Sequence, residues 1–504
     1  MYSKINSCAT LGIDCQLVEV ETAISSQVRK FVIVGLPDAA VQEARERVYL
    51  AFRNCGLEFP KRKVTVNLAP ADIKKEGPSY DLPMAISIYK AEGLIPATLD
   101  DSLFIGELSL DGQLRHTRGI LPIAIFAKQN NFKKLFVPVI NAREASLISD
   151  IEVYPVGNLN QIINHLRGTE RIEPIKPIQL EELSTLQELE SDMSFIKGQE
   201  HAKRAMEIAA AGSHNILMSG PPGSGKTLLA RTLPTILPAM TREEILEVTK
   251  IYSIAGGLNE KFPLITNRPF RSPHHTASGV ALVGGGKFPK PGEISLAHRG
   301  VLFLDEFPEF PRSVLENLRQ PLEDGIVSVS RAQGTIAFPA RFMLVASLNP
   351  CPCGYYNDPD KPCTCGAAQI IHYQKKISGP LMDRIDIHLE VPRLKFEKLQ
   401  EEICGEPSKN IRERVEAAVA LQTSRFNKSS IKYNSEMRAQ EIKDFCQLDG
   451  QGLELMKSAV KQMHLSPRSY HRVLKLARTI ADLDKKEKLA VGHIAEALQY
   501  RPKV

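Results

Sequence analysis

The spacing of hydrophobic and polar residues changes along the chain and divides it into three parts. In residues 1–168, short apolar segments typical of strands are separated by helical patterns. The predicted strands include 16–20, 31–34, 63–68 and 135–138. Residues 38–54 have apolar positions every three or four residues, with Asp38 as the predicted N-cap and Gly56 beyond the end. This part is therefore predicted to be an α/β domain.

The second part begins after residues 169–190, a segment rich in Pro, Glu and Leu that we interpret as a linker. Residues 215–218 predict a buried strand that leads directly into a glycine loop and a helix from about Lys226. Such a βα unit begins a nucleotide-binding core, which we place at residues 191–393. The third part, residues 394–504, is almost wholly helical in pattern and predicts a lid.

The composition excludes some classes of protein. With 43% hydrophobic and 24% charged residues, the 504-residue chain is not a disordered protein. Its net charge of +6, from 64 basic and 58 acidic residues, means that any basic surface is local. No apolar run approaches the roughly 20 residues of a membrane span, and the first residues lack a signal-peptide pattern. A reducing, cytoplasmic compartment without membrane contact is expected.

A glycine loop follows the predicted strand 215–218. Its sequence, GPPGSGKT, fits the pattern G-x-x-x-x-G-K-[ST] in full. Backbone N–H groups of such a loop bind phosphate oxygens, together with the N-terminus of the next helix. Lys226 is predicted to neutralise the β- and γ-phosphates of ATP, and Thr227 to ligate Mg²⁺. The predicted nucleotide-binding residues are Gly220, Pro221, Pro222, Gly223, Ser224, Gly225, Lys226 and Thr227.

Two further apolar runs end in polar residues. Residues 301–304 lead into Asp305 and Glu306. After a phosphate loop, this pattern predicts a Mg²⁺ contact from Asp305 and a base for the attacking water from Glu306. The run 342–348 ends at Asn349. An amide there would orient water beside the γ-phosphate, although an Asn at a strand end is also a common turn former.

Two arginines are candidates for phosphate contacts. Arg384 would act as an arginine finger on the nucleotide of a neighbouring subunit, unless it pairs with a nearby aspartate of its own chain. Arg468 begins a predicted helix after a Ser-Pro pair and would reach phosphate from the lid. Arg472 lies one turn later on the same face and competes with Arg468 for that role.

Four of the nine cysteines are concentrated in one short segment, residues 351–365. Two closely spaced pairs of thiolates suit a tetrahedral Zn²⁺ site, and the alternative is a set of buried or free thiols. Four cysteine ligands leave no open coordination position, so the metal would be structural. The candidate zinc ligands are Cys351, Cys353, Cys363 and Cys365.

Longer runs resemble a known family. RSPHHTAS (271–278), LVGGG (282–286), PGEISLAH (291–298) and LFLDE (302–306) resemble the magnesium-chelatase-like AAA+ proteins. In the first part, VGLPD, EARER and VNLAPAD, which begin at residues 34, 43 and 66, resemble the ComM/YifB family. The similarity covers essentially the whole chain.

The resemblance implies an N-terminal Lon-protease-like α/β domain, an AAA+ core with a parallel sheet, and a C-terminal helical lid with a magnesium-chelatase-like domain. It implies a hexameric ATP-dependent DNA helicase that promotes branch migration during natural transformation. ATP and Mg²⁺ would be its cofactors, and single-stranded and branched DNA and recombination proteins its partners. Asn349 would then be sensor 1, Arg384 the arginine finger and Arg468 sensor 2.

The same family lines the channel of its hexamer with a hairpin before sensor 1 and an insertion in helix 2. Segments 326–330 and 335–338 predict such a hairpin, and 284–290 resembles the insertion. Contacts from these elements to DNA would be electrostatic and largely independent of base sequence. The candidate DNA-contacting residues are Lys287, Lys290 and Arg331.

The Gly-Pro-Ser sequence that ends at Ser79 resembles the nucleophile segment of Lon proteases. A serine nucleophile needs a base, which is a lysine in that family. Alignment of residues 112–138 places Leu121 where the lysine belongs, and Lys128 is expected on an exposed helix face. We therefore expect a domain without proteolytic activity that binds DNA or neighbouring subunits.

Two alternatives concern what the chain binds. The basic sequences KRK at 61–63 and KK at 74–75 would suit DNA, although solvated surface lysines explain them equally well. For the whole chain, the alternative function is an AAA+ motor subunit of a metal-chelatase-type complex. The Lon-like domain and the four-cysteine segment argue against it.

Overall fold

The computed structural model describes residues 1–72, 75, 77–96, 98–178, 191–258, 261–286, 290–331, 334–393, 405–427, 429 and 431–502. The chain forms two compact units. Unit 1 consists of Met1–Thr185 with Arg242–Thr266, and unit 2 of Leu186–Thr241 with Asn267–Val504. None of the helices in these described ranges is long and apolar enough to cross a membrane.

Unit 1 contains a mixed seven-stranded sheet. Its strands are β1 (Tyr2–Leu11), β2 (Asp14–Ser25), β3 (Lys30–Val34), β4 (Lys63–Ala69), β5 (Ser102–Phe104), β6 (Glu107–Leu108), β7 (Leu114–Arg115), β8 (Lys134–Pro138) and β9 (Glu152–Val156). The sheet order is β3-β4-β2-β1-β5-β8-β9, and β6 pairs with β7 separately. Strand β2 runs antiparallel to β1 and β4, and the other neighbours in the large sheet are parallel.

Helices pack against the sheet of unit 1, and the sequence analysis predicted the first of them. They are α1 (Ala39–Asn54), α2 (Asp81–Ala91), α3 (Ile120–Gln129), α4 (Val139–Ala145) and α5 (Leu159–Arg167). The predicted cap of α1 is confirmed, because the Asp38 carboxylate accepts a hydrogen bond of 2.8 Å from the N–H of Val41. The four predicted strands lie within β2, β3, β4 and β8.

Unit 2 is built on a five-stranded sheet of parallel neighbours, in the order β11-β14-β17-β10-β18. The strands are β10 (Ile216–Ser219), β11 (Phe270–Arg271), β12 (Gly284–Gly285), β13 (Lys290–Pro291), β14 (Val301–Leu304), β15 (Ile326–Arg331), β16 (Gly334–Pro339), β17 (Met343–Leu348) and β18 (Ile387–Glu390). Two antiparallel pairs, β12–β13 and β15–β16, stand outside this sheet. The predicted hairpin before Asn349 is therefore confirmed.

The helices after residue 191 complete both units. They are α6 (Glu200–Gly212), α7 (Lys226–Thr232), α8 (Arg242–Ala255), α9 (Gly279–Val283), α10 (Glu293–Leu296), α11 (Arg312–Glu316), α12 (Arg319–Asp324), α13 (Ala367–Gln374), α14 (Gly379–Met382), α15 (Ser408–Arg425), α16 (Ala439–Phe445), α17 (Gly450–Met463), α18 (Pro467–Leu483) and α19 (Val491–Gln499). Single 3₁₀ turns occur at Pro78–Tyr80, Met193–Phe195, Leu233–Thr235, Phe307–Glu309 and Asn434–Glu436. Helices α15 to α19 follow the last strand of unit 2 and share one apolar core with α6 and β10.

Helix α8 belongs to unit 1, whereas the sequence analysis placed its residues in the nucleotide-binding core. Ile245 and Leu246 pack against the apolar cluster under α3 and α4. The Ser253 hydroxyl donates to the buried Glu144 carboxylate, and the Ser253 carbonyl accepts from the N–H of Gly119 at 3.2 Å. The apolar stripe of α8 predicts a buried helix but not which core buries it, so only tertiary contacts reveal this assignment.

Candidate functional site

Three strand ends bring the predicted catalytic residues together. In the parallel sheet of unit 2, β10 leads into Gly220, β14 into Asp305 and β17 into Asn349. The carboxyl ends of parallel strands meet at one edge, where open α/β sheets bind their ligands. We call this the carboxyl edge. Gly220 is required there, because a Cβ atom at this position would lie 2.2 Å from the carbonyl oxygen of Val391.

Lys226 is the buried centre of the carboxyl edge. Its side-chain ammonium donates to the carbonyl oxygens of Gly220 and Pro221 at 2.7 and 2.9 Å, and to Asn349 Oδ1 at 3.3 Å. Burial lowers the pKa of Lys226, an effect that the nearby Asp305 carboxylate opposes. Carbonyl oxygens and an amide oxygen thus hold the cation at the centre of the loop, where a phosphate would present stronger acceptors.

Thr227 and Asp305 form the second contact of the carboxyl edge. Thr227 Oγ1 donates to Asp305 Oδ2 at 3.0 Å. Asp305 Oδ1 accepts from the Ser347 hydroxyl and, at 3.0 Å, from the N–H of Glu306. A hydroxyl and an oriented carboxylate are oxygen donors of the type that Mg²⁺ prefers, so the residues present fit this ion.

Glu306 adopts a strained backbone conformation, with φ of 52° at a non-glycine residue. Its Oε2 atom lies 3.1 Å from Nδ1 of His275, which comes from the loop after β11. The His275 ring packs against His274 with ring centres 4.1 Å apart. The sequence analysis included His275 only as part of a family motif. The structure makes it a direct neighbour of the predicted catalytic acid.

Gln199 is a second residue that the sequence analysis missed. It lies just before α6, and its side-chain amide donates to the carbonyl oxygen of Ser224 at 2.7 Å. It thereby ties the phosphate loop to the start of unit 2. Only its position after Gly198 and before a helix marks it in the sequence, and such a signal is too common to identify a site.

The four clustered cysteines converge, although they lie on an irregular loop. Their sulfur atoms all lie within 4.8 Å of one another. The Sγ atoms of Cys351, Cys353 and Cys363 are separated by 3.3 to 3.7 Å. Tetrahedral zinc with Zn–S bonds of about 2.3 Å requires sulfurs about 3.8 Å apart, so this cluster fits the ion. Hydrogen bonds from the backbone of Thr364 and Tyr355 lower the pKa of Cys353 to about 5, which favours the thiolate.

The cysteine loop packs against the phosphate loop. A Cβ atom added to Gly354, whose φ is +84°, would lie 2.5 Å from the Pro222 ring. Only glycine allows so close an approach in this left-handed conformation. At Gly354 the cysteine loop thus lies against the loop that is predicted to hold ATP.

The two candidate arginines lie at the opposite edge of the same sheet. Arg384 and Arg468 line a cavity of about 520 Å³ whose wall includes Asn215, Gly300 and Met343. These three residues stand at the amino ends of β10, β14 and β17, so we call this side the amino edge. The sequence alone did not predict that Arg468 would lie on this side, away from the phosphate loop of its own chain.

One carboxylate holds both arginines at the amino edge. Glu323, in α12, forms ion pairs with the guanidinium groups of Arg384 and, at 3.2 Å, of Arg468. The hydrogen bond from Arg384, aided by the charge of Arg468, lowers the pKa of Glu323. The expected local alternative, pairing of Arg384 with a neighbouring aspartate, is not what the structure records.

Arg472 supports the loop that carries Arg384. Its Nη1 atom donates to the carbonyl oxygen of Ile385 at 2.5 Å and to that of Met382 at 3.3 Å. Its side chain is 13% exposed, compared with 56% for Arg468. Arg472 is therefore occupied by backbone acceptors, and Arg468 is the arginine of this pair that is accessible to a ligand.

The candidate DNA-contacting residues are only partly described. Lys290, in β13, is exposed. Arg331 ends β15 opposite Gly334, which places it at the tip of the hairpin. Lys287 lies outside the described residues. The structure therefore supports the positions of Lys290 and Arg331 on two short antiparallel ribbons, and leaves their contacts with DNA as a prediction.

The Lon-like segment of unit 1 lacks the expected base at the predicted position. Leu121 is fully buried in α3, and Lys128 lies on the outer face, where it pairs with Asp150 at 2.8 Å. Next to Ser79, the buried Asp81 pairs with Arg47 at 2.8 Å. Burial raises the pKa of Asp81 to about 6, although Arg47 opposes this shift.

Three protein-family models, all of magnesium chelatase subunits, match segments of the chain. The model described as "Magnesium chelatase, subunit ChlI" matches residues 192–399. The model "Subunit ChlI of Mg-chelatase" matches residues 20–141. The model "Magnesium chelatase, subunit ChlI C-terminal" matches residues 405–501. This family implies ATP and Mg²⁺ as cofactors and suggests ATPase activity.

Comparison with individual proteins identifies the family more closely. The chain is 44% identical to "Competence protein ComM" of Haemophilus influenzae, over 99% of this chain and 97% of the relative. It is 41% identical to YifB of Escherichia coli, also over 99% and 97%. A segment of 139 residues is 30% identical to "Lon protease 2" of Bacillus subtilis, covering 27% of this chain and 24% of that one. The chain belongs to the ComM/YifB family of magnesium-chelatase-like AAA+ proteins, with a mixed α/β fold and a helical C-terminus.

Proposed function

We propose that this chain is an ATP-dependent DNA helicase that acts as a hexameric ring and promotes branch migration in homologous recombination during natural transformation. Two independent observations support this proposal. The site geometry supports an ATP-driven ring, and the 44% identity to a protein named for competence supports DNA as its substrate. The observation that carries the ring is the position of Arg384 and Arg468 at the edge opposite the phosphate loop.

ATP binds at the carboxyl edge in this proposal. The N–H groups of residues 223–227, at the start of α7, bind the phosphates, and Lys226 exchanges its carbonyl acceptors for phosphate oxygens. Thr227 and Asp305 would hold Mg²⁺, which neutralises charge on the β- and γ-phosphates. Glu306 accepts a proton from the attacking water, and Asn349 orients that water beside Lys226.

The arginines complete the site of a neighbouring subunit. In a ring where the amino edge of one copy faces the carboxyl edge of the next, Arg384 and Arg468 leave Glu323 and contact the phosphates of the neighbour. A guanidinium there stabilises charge on the transferred phosphoryl group. ATP is then bound by two chains, so hydrolysis changes the contact between subunits and moves the elements that line the channel.

The cysteine loop and the ribbons have separate roles. Cys351, Cys353, Cys363 and Cys365 hold a structural Zn²⁺, which fixes the loop that carries Gly354 against Pro222. Lys290 and Arg331, together with Lys287, contact the DNA backbone electrostatically in the channel.

Strand exchange on a labelled synthetic four-way junction, with ATP and Mg²⁺, tests the proposal. The wild type is expected to separate the junction into two duplexes, and Lys226→Ala to leave it intact while the protein remains folded. If the wild type hydrolyses ATP but neither binds nor moves branched or forked DNA, the helicase proposal is wrong. Hydrolysis that is stimulated by a porphyrin and Mg²⁺ instead of DNA would favour a chelatase-type motor.

A further inference from the structure

Unit 1 contains cations that differ in how they are neutralised. Several form ion pairs, such as Arg47 with Asp81 and Lys128 with Asp150, each at 2.8 Å. Several others form no ion pair with any residue that the structure describes, and five of these form one set in the segments 29–30 and 61–63. We call this set the basic corner, and its members are Arg29, Lys30, Lys61, Arg62 and Lys63. All but Lys63 are exposed, and Lys63 is half-buried.

Strand pairing brings the two halves of the basic corner together. Strand β3 is the edge strand of the seven-stranded sheet and runs parallel to β4. In their register, Lys30 lies directly opposite Lys63, so both halves lie where the two strands begin. Neighbouring strands are about 4.8 Å apart, which places cations from distant parts of the sequence on one surface.

Contacts with neighbouring side chains hold Arg29 and Lys63 of the basic corner in place. The Arg29 guanidinium carbon lies 5.0 Å from the centre of the Tyr49 ring, and Tyr49 packs edge-on against Phe59 at 5.4 Å. Lys63 donates to the side-chain oxygen of Gln27 at 2.9 Å. These contacts orient the charges without neutralising them, which lowers the entropy cost of binding a ligand.

The other basic sequence of unit 1 does not extend this surface. Lys75 is fully buried, and its Nζ atom donates to the carbonyl oxygen of Pro70. The sequence analysis treated it as a surface lysine, which is wrong for Lys75. Lys74 lies outside the described residues. Lys75 therefore adds no charge to the basic corner.

We propose that the basic corner binds the sugar–phosphate backbone of DNA and gives unit 1 its own contact with the substrate. Five neighbouring cations repel one another, and the segments 29–30 and 61–63 that supply them contain no carboxylate. A polyanion removes that repulsion and releases counterions. The inference rests on the proposed function, because DNA is the polyanion that the same protein would already hold.

A pair of matched variants tests the inference in the full-length protein. Lys61→Ala with Arg62→Ala removes two adjacent cations where β4 begins. The control, Lys133→Ala with Lys134→Ala, removes two adjacent cations at the start of β8, near the other end of the same sheet. Affinity for fluorescent single-stranded DNA and for a four-way junction is measured by anisotropy over a series of salt concentrations, together with ATPase activity in the absence of DNA.

The salt dependence separates the outcomes. Each lost phosphate contact reduces the slope of log K against log salt by about 0.7 on single strands and about 0.9 on duplex. Lys61→Ala/Arg62→Ala is expected to reduce it by roughly 1.4 to 1.8, with the control slope and both DNA-free ATPase rates unchanged. The charge-preserving variant Lys61→Arg/Arg62→Lys should keep the wild-type slope.

An unchanged slope for Lys61→Ala/Arg62→Ala, in a wild type that binds DNA, would overturn the inference and leave the proposed function intact. A wild type that binds no DNA would instead refute the proposed function. If the variant loses binding to vesicles of anionic phospholipid but not to DNA, the corner is a membrane-binding surface and the nucleic-acid assignment is wrong.

Discussion

The two edges of the five-stranded sheet in unit 2 differ in how complete they are within a single chain. At the carboxyl edge, Thr227 contacts Asp305 and Lys226 contacts Asn349, so the predicted catalytic residues meet directly within one chain. At the amino edge, Arg384 and Arg468 instead share one carboxylate, that of Glu323. Two guanidinium groups that share one exposed carboxylate, Glu323, can bind a further anion such as a phosphate. Under the proposed function, the carboxyl edge binds a nucleotide and the amino edge completes the site of a second copy.

Substitutions at the carboxyl edge are expected to have the largest effect on ATP binding and hydrolysis. Lys226→Ala should abolish ATP binding, and Glu306→Gln should preserve it while lowering phosphate release by at least about 10²-fold, because only the base for water is lost. Binding of a fluorescent ATP analogue and steady-state phosphate release distinguish the two. Phosphate release by Glu306→Gln at the wild-type rate would exclude Glu306 as the base.

Removal of an arginine from the amino edge should lower ATPase activity almost as much. Unlike the loss at the carboxyl edge, this loss can be partly rescued by a second copy of the chain. Arg384→Ala is expected to lower ATPase activity by about 10³-fold, the smaller end of the range for arginine fingers. Mixing it with Lys226→Ala should restore part of the activity, since some interfaces then combine an intact Lys226 with an intact Arg384.

Arg468 provides the control for this rescue. A mixture of Arg384→Ala with Arg468→Ala should recover less activity, because every amino edge in such a ring lacks one of the two arginines. If Lys226→Ala and Arg384→Ala fail to complement at concentrations where each forms mixed rings, Arg384 acts within its own subunit or does not act at all.

A smaller effect is expected from the cysteine loop, which supports the carboxyl edge from outside. Cys363→Ser should reduce bound zinc and raise KM for ATP roughly tenfold, about 1.4 kcal/mol, because Gly354 no longer fixes Pro222. Metal content by mass spectrometry and KM for ATP are measured together. Cys15→Ser, in unit 1, is the control. A zinc-free variant with unchanged KM would separate the metal from the phosphate loop.

The smallest effect should come from Glu323. Glu323→Gln removes the charge that competes with phosphate for Arg384 and Arg468, so the protein concentration needed for half-maximal ATPase activity is expected to fall a few-fold. Glu316→Gln is a matched control on the preceding helix, where Glu316 pairs with Arg319 at 2.8 Å. Equal responses of the two variants would show that Glu323 is an ordinary surface carboxylate.

The sequence determined the parts of the molecule in which chemistry depends on neighbours along the chain. The phosphate loop, the acidic pair after β14 and the cap of α1 were all predictable, because each is set by residue type at fixed local spacing. The four cysteines were also predictable as a cluster, since two short pairs must converge to share one ion. Their contact with Pro222 was not predictable, because it depends on how two loops pack.

Tertiary structure alone decided three further points. Helix α8 packs in unit 1 because its apolar face fits the cluster under α3, a match that periodicity cannot express. Lys75 is buried and Lys61 exposed, although both lie in basic sequences of similar appearance. Arg384, Arg468 and Glu323 come from a loop and two helices that are separate in the sequence, and only their packing at the amino edge brings them together. Sequence spacing specifies local geometry, whereas contacts between distant segments follow from which apolar faces are buried together.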